Sequence, residues 1–247
     1  MTFSDKVVVI TGAGSGIGRG LAAGFCRDGA QVVGMGRTAE SLEKTAAEHG
    51  QERMHTVVGD VAKQADVDRL FAEAIERHGR VDILINNAAI YPRVRFLDVD
   101  VDEWAKVLEV NVLGMARCCR AALPGMLERR SGRIVNLGSF AWKGPIDRAS
   151  GYSVSKAAVH ALTKAIAAEI DSSTYPDVLV NELLPGIVRT SMSETGDDPM
   201  DVYAHAKAVA SLPAGGPTGK VFLRGQLHDE HGGGGGVKRK LSRLLGR

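Results

Sequence analysis

The sequence predicts an α/β fold: a doubly wound, seven-stranded parallel sheet with helices on both faces, built as a single domain. Three observations predict it. Short apolar runs alternate with helical patterns along the chain, the first run leads directly into a glycine-rich turn, and 247 residues suit one α/β domain with a sizeable core. Because strands separated by helices form βαβ units, we expect the sheet to be parallel.

The expected strands are short runs of β-branched and other apolar residues, which are typical of strands buried on both faces. They lie at residues 7–10, 31–35, 55–58, 82–85, 133–137, 178–184 and 220–223. Amphipathic patterns between them predict helices near residues 16–28, 39–49, 63–78, 101–129 and 152–173. Gly12, Asn86, Ser139 and Pro185 each follow the end of a predicted strand, at the edge where doubly wound sheets bind ligands.

The composition favours a globular protein and argues against a nucleic-acid-binding or membrane-spanning one. Hydrophobic residues make up 44% of the chain and charged residues 24%, as in ordinary globular proteins. The net charge of +2 gives no argument for a nucleic-acid partner, and no apolar run reaches the roughly 18 residues of a membrane span. The first strand begins too early for a signal peptide, so a cytoplasmic location is predicted. Cys26, Cys118 and Cys119 have no metal-site or disulfide spacing, and we interpret them as small buried residues.

The end of the chain has a different composition. Residues 232–236 are five consecutive glycines, which are typical of a flexible linker, and the last eleven residues contain five Lys or Arg and no acidic residue. We therefore predict one domain over residues 1–230, followed by a flexible linker and basic tail over residues 231–247. A basic segment with leucines can contact an anionic membrane or a partner. Because one short apolar stripe anchors weakly, a solubilising segment is favoured over membrane contact.

The first glycine-rich turn has glycine at positions 12, 14, 16 and 18, between a predicted strand and a predicted helix. Such a turn lets backbone N–H groups approach a pyrophosphate, and the N-terminus of the helix faces its negative charge. A plain tight turn is the alternative. The strand before the turn, the helix after it and the next strand favour phosphate binding.

Tyr152 and Lys156 lie four residues apart, with Ser139 thirteen residues before the tyrosine. Residues at this spacing share one face of a helix. A lysine ammonium beside a phenol favours the phenolate, so we expect the pKa of Tyr152 to lie below its usual value of about 10. Such a tyrosine can exchange a proton with an alcohol oxygen near neutral pH, and Ser139 can hydrogen-bond the same oxygen. Taken alone, the pair also fits an ordinary surface helix.

With these features in place, the chain resembles the single-domain short-chain dehydrogenase/reductase family from about Lys6 to Val188. The matching motifs follow the family's order: Thr11-Gly12-x-x-x-Gly16-x-Gly18, Asp60-Val61, Asn86-Asn87-Ala88-Ala89, Asn111, Ser139, Tyr152 with Lys156, and Pro185-Gly186. The resemblance implies a Rossmann fold and reversible hydride transfer between a nicotinamide and a carbonyl or secondary alcohol. It implies four catalytic residues: Asn111, Ser139, Tyr152 and Lys156.

In these implied roles Tyr152 is the general acid and base, and Lys156 also holds the ribose hydroxyls. Ser139 hydrogen-bonds the substrate oxygen, and Asn111 completes a proton relay through water. The resemblance implies cofactor contacts as well. They are Gly12, Ser15, Gly16, Ile17, Gly18, Arg37, Asp60, Val61, Asn86, Ala88, Tyr152, Lys156, Pro185, Gly186, Val188 and Thr190.

The choice of cofactor depends on the end of the second strand. The acidic residue that would bind an NAD ribose is missing there, and Gly36 is followed by Arg37. An arginine can pair with a 2′-phosphate, so NADP(H) is predicted, with NAD(H) as the alternative. A solvated arginine at a helix entry is the less favoured interpretation of Arg37. Ala89 stands where the family usually has glycine, a departure that bears on how the cofactor is placed.

The substrate is expected to contact residues 91–96, 140–150 and 187–203. Their large side chains favour an apolar or aromatic carbonyl compound: Tyr91, Phe140, Trp142, Ile146 and Met192. Arg93 and Arg95 could instead meet an acidic group, although both also fit solvated loop positions. A ketone or aldehyde reductase is the leading hypothesis, and the compact ending of the chain resembles carbonyl-reductase-type members.

The alternatives are a 3-oxoacyl reductase, an NAD-dependent polyol or alcohol dehydrogenase and, in another class, a non-catalytic NADP-binding sensor. No metal and no nucleic acid are expected to bind. A homodimer or homotetramer is expected, and the helices predicted at 101–129 and 152–173 are the candidate dimer contact.

Overall fold

A computed structural model describes residues 3–49 and 52–230. Eight strands form one sheet in the order β3-β2-β1-β4-β5-β6-β7-β8. The strands are β1 Val7–Thr11, β2 Gln31–Gly36, β3 Met54–Val58, β4 Ile83–Asn86, β5 Gly132–Leu137, β6 Val178–Leu184, β7 Val221–Leu223 and β8 Gln226–Leu227. The tail predicted at residues 231–247 lies outside the residues described.

The predicted α/β class and parallel sheet are confirmed, and the expected strand number is one too low. Strands β1 to β7 pair in parallel, whereas β8 pairs antiparallel with β7. Arg224 and Gly225 connect β7 to β8 with positive φ angles of 50° and 79°, as a tight hairpin turn requires. Because β8 has only two residues, both exposed, it has no hydrophobic run that could predict it.

Helices cover both faces of the sheet. They are α1 Gly16–Arg27, α2 Ala39–His49, α3 Gln64–His78, α4 Val101–Leu108, α5 Gly114–Glu128, α6 Ser150–Glu169 and α7 Val202–Ala210. The single helix predicted over residues 101–129 is wrong in one respect. A π-helical turn, Glu109–Leu113, separates α4 from α5. The apolar spacing continues through this turn, so periodicity does not reveal the extra residue that it accommodates.

Alternate residues of the strands pack against opposite layers of helices. Val8 and Ile10 of β1 belong to a cluster with α1 and α7, whereas Val9 belongs to a cluster with α3, α5 and α6. Both faces of β1 are therefore buried, which explains its unbroken run of β-branched residues. Across the part of the chain that is described, no helix combines the length and the hydrophobicity needed to cross a membrane.

The sheet reverses its winding between β1 and β4, which are adjacent in space and distant in sequence. Crossovers from β1 lead towards β3 on one side, and crossovers from β4 lead towards β7 on the other. In such a sheet the loops at the carboxyl ends separate at the reversal and leave a crevice for a ligand. The residues that follow β1, β4, β5 and β6 all lie along this edge, as the sequence predicts.

Candidate active site

A cleft of about 240 Å³ opens along the carboxyl ends of β1 to β4. Its walls come from the turn after β1, the ends of β2 and β3, the segment after β4 and the loop after β6. Nine of the predicted cofactor contacts lie in these walls: Gly12, Ser15, Gly16, Ile17, Arg37, Asp60, Val61, Ala88 and Thr190. The structure thus brings residues from five separate segments to one cleft.

The glycine-rich turn adopts a backbone that other residues would strain. Gly12 and Gly16 have φ angles of 70° and 49°, in the left-handed region. Gly18 does not line the cleft, and its role is in packing. A Cβ atom there would lie 2.0 Å from the carbonyl oxygen of Gly12, so only glycine lets α1 pack this closely against the turn. The turn therefore presents backbone and the N-terminus of α1 to the cleft.

Arg19, the basic residue just after the turn, does not line the cleft. Its Nη2 donates to the carbonyl oxygen of Gly14 at 2.9 Å, and its Nε donates to Thr45 Oγ1 at 3.3 Å. The guanidinium therefore braces the turn against α2. Arg37, in contrast, is exposed at the rim of the cleft and forms no ion pair with any residue described.

Asp60 and Val61 line the cleft directly after β3. The backbone N–H of Asp60 donates to Asp66 at 2.9 Å, and Asp60 Oδ1 accepts from the N–H of Ala62 at 2.9 Å. Because Oδ1 is held in this way, the direction of the carboxylate is set before any ligand binds. Val61 is buried beside it and offers an apolar surface.

Asn86 is a predicted cofactor contact that the structure places elsewhere. It is the last residue of β4 and is 2% exposed, and its Nδ2 donates to Asn136 Oδ1 at 2.9 Å, inside the sheet. Asn87, the next residue, faces the cleft instead. Its Nδ2 donates to the carbonyl oxygen of Thr11 at 2.9 Å, and Thr11 Oγ1 accepts from the backbone N–H groups of Asn87 and Ala88. Asn87 thus fixes the glycine turn against the segment after β4.

Tyr152, Lys156 and Ser139 lie together at the carboxyl ends of β5 and β6. Tyr152 is in the first turn of α6, and Lys156 follows one turn later, with its Nζ 5.5 Å from the centroid of the tyrosine ring. Lys156 Nζ also donates to the carbonyl oxygen of Leu137 at 2.7 Å. Ser139 follows β5, and its Oγ accepts from the N–H of Ala141 at 3.2 Å.

The sequence predicts a lowered pKa for Tyr152, and this prediction is wrong. The side chains around the phenol leave its pKa above the usual value. Burial raises the pKa of this phenol, a hydrogen bond with Ser139 lowers it, and Tyr91 raises it. The ring of Tyr91 lies 4.7 Å from that of Tyr152 at 74°, which helps to exclude water. Burial also lowers the pKa of Lys156 to about 8, against an opposing effect from Glu182. Desolvation therefore has the largest effect on the pKa of both groups.

Asn111 lies in the π-helical turn, where it joins two parts of the site. Its Oδ1 accepts from the backbone N–H of Ile90 at 2.8 Å, and its Nδ2 donates to the carbonyl oxygen of Ile90 and to Ser155 Oγ, both at 3.0 Å. Ser155 Oγ in turn donates to the carbonyl oxygen of Tyr152 at 2.7 Å. Asn111 therefore links the segment after β4 to the turn of α6 that carries Tyr152. Its role in a water relay stays a prediction.

The loop after β6 forms the other side of the site. Pro185 and Gly186 follow the strand directly, and Gly186 has a φ of 90° that favours glycine. Val188 is buried in the core, whereas Thr190 reaches the cleft, where a Cβ at Gly16 would lie 3.1 Å from its Cγ2. Pro185, Gly186 and Val188 thus shape the loop, and Thr190 is the part that faces the glycine turn.

The large side chains predicted to bind substrate lie in different parts of the structure. Met192 lines the cleft, and Phe140 is 40% exposed with its ring 5.7 Å from that of His228. Trp142, however, stacks on His160 at 4.4 Å with 9° between the rings, and its indole nitrogen is buried. Trp142 is therefore a packing partner of α6.

The two arginines near the predicted substrate segments contact local groups. Arg93 Nη2 donates to the carbonyl oxygen of Asp147 at 3.4 Å, and Arg95 Nε lies 3.9 Å from Asp98 Oδ2. Arg95 is 65% exposed, as its solvated interpretation predicts. Contact between either arginine and an acidic substrate stays a prediction.

Several cleft residues are absent from the sequence prediction. Besides Asn87, they include Thr38 and Ser41 at the start of α2 and Gly59 beside Asp60. The sequence signal for Thr38 and Ser41 is their position one and four residues after Arg37, which places two hydroxyls near the predicted phosphate contact. Asn87 lies in the motif quoted for the family, next to the asparagine that points inward.

The cysteines are free and buried, as interpreted from their spacing. Burial raises the pKa of Cys26 to about 11 and that of Cys119 to about 12, so neither thiol ionises near neutral pH. Over the described ranges 3–49 and 52–230, no group of three or more His, Cys, Asp or Glu side chains is arranged to hold a metal ion.

The strand order and the glycine turn at the reversal of the sheet define a class: dinucleotide-fold proteins, here with a tyrosine–lysine pair beside the cleft. Residues 6–200 match the family model described as short chain dehydrogenase. The chain belongs to this family of oxidoreductases.

Two relatives and one solved structure support the same assignment. An uncharacterised oxidoreductase of Staphylococcus aureus (strain MRSA252) is 36% identical over 78% of this chain and 82% of its own. An uncharacterised oxidoreductase of Bacillus subtilis (strain 168) is 37% identical over 75% of this chain and 70% of its own. A 3-ketoacyl-(acyl-carrier-protein) reductase from Brucella melitensis, solved in complex with NADH, superposes with a TM-score of 0.82 and 31% identity, covering 88% of this chain and 96% of the other.

Proposed function

We propose that the protein is an NADP(H)-dependent enzyme that transfers a hydride between a nicotinamide and a carbonyl or secondary alcohol. The observation that carries this proposal is the placement of Tyr152, with Ser139 and Lys156 around it, beside a cleft formed by a glycine turn. The cleft residues fit a dinucleotide: the turn presents the N-terminus of α1 for a pyrophosphate. Gly59, Asp60 and Val61 form the opposite wall.

In this mechanism Tyr152 holds or moves the proton. For carbonyl reduction, its phenol donates a proton to the substrate oxygen while Ser139 donates a hydrogen bond to the same oxygen. For alcohol oxidation, the phenolate takes the proton back. Lys156 supplies positive charge beside the phenol and a donor for the ribose hydroxyls. When bound, the nicotinamide supplies or accepts the hydride.

The preference for NADP(H) depends on the rim of the cleft after β2. Gly36 stands where an acidic residue would bind an NAD ribose, and Arg37, Thr38 and Ser41 follow. An exposed guanidinium and two hydroxyls can bind a 2′-phosphate by charge-assisted hydrogen bonds.

The second candidate is a 3-oxoacyl reductase that uses NAD(H). It is favoured by the resemblance to the Brucella melitensis reductase, a 3-ketoacyl-(acyl-carrier-protein) reductase complexed with NADH. A cytoplasmic location and a homo-oligomeric state complete the proposal.

Fluorescence titration with NADPH and NADH, followed by NADPH oxidation over a panel of ketones, aldehydes and 3-oxoacyl thioesters, tests this function. We expect tighter binding of NADPH and turnover of an apolar ketone or aldehyde. Preference for NADH together with turnover confined to 3-oxoacyl thioesters would select the second candidate. Binding without turnover in either direction, with matching alcohols included, would support a sensor.

A further inference from the structure

A buried carboxylate lies close to the catalytic lysine. Glu182, in β6, is 1% exposed, and its Oε2 is 2.7 Å from His160 Nδ1. His160 follows Lys156 by one turn of α6, so the lysine and the histidine share a helix face. The sequence predicts a buried strand at this position, and a carboxylate there is contrary to the usual composition of such strands.

Gly138 makes room for this carboxylate. A Cβ atom at Gly138 would lie 1.8 Å from Glu182 Oε1, so any larger residue would displace it. Gly138 lies between Leu137 and Ser139 in the chain. The carbonyl oxygen of Leu137 accepts a hydrogen bond from Lys156 Nζ at 2.7 Å. Glu182 therefore packs against the short segment that carries two elements of the site.

Ion pairs of His160 and Glu230 connect the buried Glu182 to the protein surface. His160 Nε2 lies 3.4 Å from Glu230 Oε2, and Glu230 also pairs with Lys164, whose side chain is 42% exposed. The indole of Trp142 covers the other face of the imidazole. These contacts hold the ring of His160 in the orientation that directs Nδ1 towards Glu182.

Burial and the neighbouring basic side chains act in opposite directions on Glu182, and its pKa lies above the usual value because burial has the larger effect. Burial raises the pKa of Glu182, whereas the hydrogen bond and charge of His160, and then the charge of Lys156, lower it; Glu230 raises it. Its partners in register on β5 and β7, Asn136 and Val221, carry no charge. Because a lone buried carboxylate would take up a proton, its charge depends on His160 and Lys156.

We propose that Glu182, held by His160, is a positioning residue that keeps the Lys156 ammonium charged and directed towards Tyr152. This proposal rests on the proposed function for its catalytic consequence. A buried lysine next to a carboxylate keeps its proton to higher pH than one without it. The pair therefore sets the upper limit of the pH range in which Lys156 can assist Tyr152 and bind the ribose.

The first test measures the charge of Lys156 without any substrate. In Glu182→Gln the side chain keeps its size and loses its charge. NMR of protein with ¹³C-labelled lysine, with the Lys156 signal assigned from Lys156→Met, follows the titration of the ammonium. The wild-type midpoint should lie near 8, and in Glu182→Gln it should fall by about one pH unit or more.

The matched control is Glu230→Gln, which removes the carboxylate on the far side of His160 and should shift the Lys156 midpoint less. His160→Asn, whose shorter side chain breaks the bond to Glu182, should shift it downward and provides a second variant if Glu182→Gln does not fold. Thermal unfolding reports the fold of each variant. An unchanged Lys156 midpoint in a folded Glu182→Gln or His160→Asn protein would overturn the proposal.

The second test measures turnover. The alkaline limb of kcat/KM for NADPH-dependent reduction should move to lower pH in Glu182→Gln by the same amount as the lysine midpoint. A uniform fall at every pH, with unmoved limbs, would show a structural role only. If the wild-type protein turns over no substrate and the lysine midpoint still shifts, the proposed function fails and the link between Glu182 and Lys156 stands.

Discussion

Tyr152 is the residue on which the proposed chemistry depends. Tyr152→Phe removes the proton that the reaction needs and keeps the ring that packs on Tyr91. We expect kcat/KM to fall by about 100-fold or more, because general acid catalysis contributes roughly that much. The Kd for NADPH should change little. Initial rates and fluorescence titration measure the two effects separately.

Tyr175→Phe is the matched control for this variant, because Tyr175 is half-buried against the hydrophobic cluster on one face of the sheet and does not line the cleft. It should keep the wild-type rate. Turnover retained by Tyr152→Phe would remove Tyr152 from the mechanism. Since burial raises the pKa of the phenol, the rate of alcohol oxidation should also rise with pH, as more phenolate forms.

Arg37 is the side chain that we propose as the contact for the 2′-phosphate of NADP(H). Arg37→Asp replaces a cation that would attract this phosphate with an anion that would repel it. The ratio of kcat/KM for NADPH to that for NADH should fall by about tenfold or more, the value of one charge-assisted hydrogen bond. The measurement is the steady-state rate with each cofactor on the same substrate.

The control for this charge reversal is Arg77→Asp on α3, an exposed arginine outside the cleft walls. It changes the net charge of the protein equally and should leave the ratio unaltered. An unaltered ratio in Arg37→Asp as well would show that Arg37 is a solvated rim residue.

At the scale of elements, Asp28 joins the end of α1 to α7. Tyr203 Oη and Lys207 Nζ both donate to Asp28 Oδ2 at 2.5 Å. Hydrogen bonds from Lys207 and then Tyr203 hold the pKa of Asp28 below its usual value. A carboxylate with a lowered folded pKa stabilises the fold above its unfolded pKa, and this contribution is lost as the pH falls through the folded pKa.

Asp28→Asn should therefore lower the free energy of unfolding at pH 7 by about 1 kcal/mol, since this ion pair is half-buried. The difference from wild type should shrink as the pH falls below about 3.9, the unfolded value. Urea unfolding at pH 7 and pH 3 tests this. Glu103→Gln, which breaks an exposed pair with Lys106, is the control and should change stability by less than about 0.5 kcal/mol. Equal losses for Asp28→Asn at both pH values would contradict the linkage.

The strands were predictable because parallel strands are buried on both faces and so carry continuous apolar runs, as β1 does. The π-helical turn at Glu109–Leu113 was not predictable, because one extra residue in a helical turn leaves the spacing of apolar side chains nearly unchanged. The sequence also did not predict that the side chain of Asn86 points into the sheet. A motif places two asparagines at the end of a strand, and only the pleat decides which of them faces the sheet.

The electrostatics of the site depended on burial, which sequence spacing does not measure. The four-residue separation placed Lys156 beside Tyr152 as predicted. The direction of the change in the pKa of Tyr152, however, follows from desolvation, which outweighs the hydrogen bond with Ser139. The contact between Glu182 and His160 was not predictable either, because the two residues are 22 positions apart in sequence and lie on different elements.

At the scale of the whole molecule, one helix face remains exposed and apolar. Val154 of α6 is 46% exposed, and Ala157, Ala161 and Ala165 are exposed at the following i+3 and i+4 positions. These residues form one stripe on a 20-residue helix whose opposite face packs on the sheet. Small side chains permit close approach of a second helix, so this stripe fits the dimer contact predicted for the helix at 152–173.

Ala161→Glu places a charge at the centre of that stripe, where burial against a second copy would leave it unpaired. Because an unpaired buried charge is costly, the variant should dissociate to a monomer of about 26.2 kDa. Sedimentation equilibrium of wild type and variant measures this. Ala72→Glu, at an exposed position of α3, is the matched control and should keep the wild-type mass. A wild-type monomer, or an Ala161→Glu protein with wild-type mass, would show that this face of α6 is not the contact between copies.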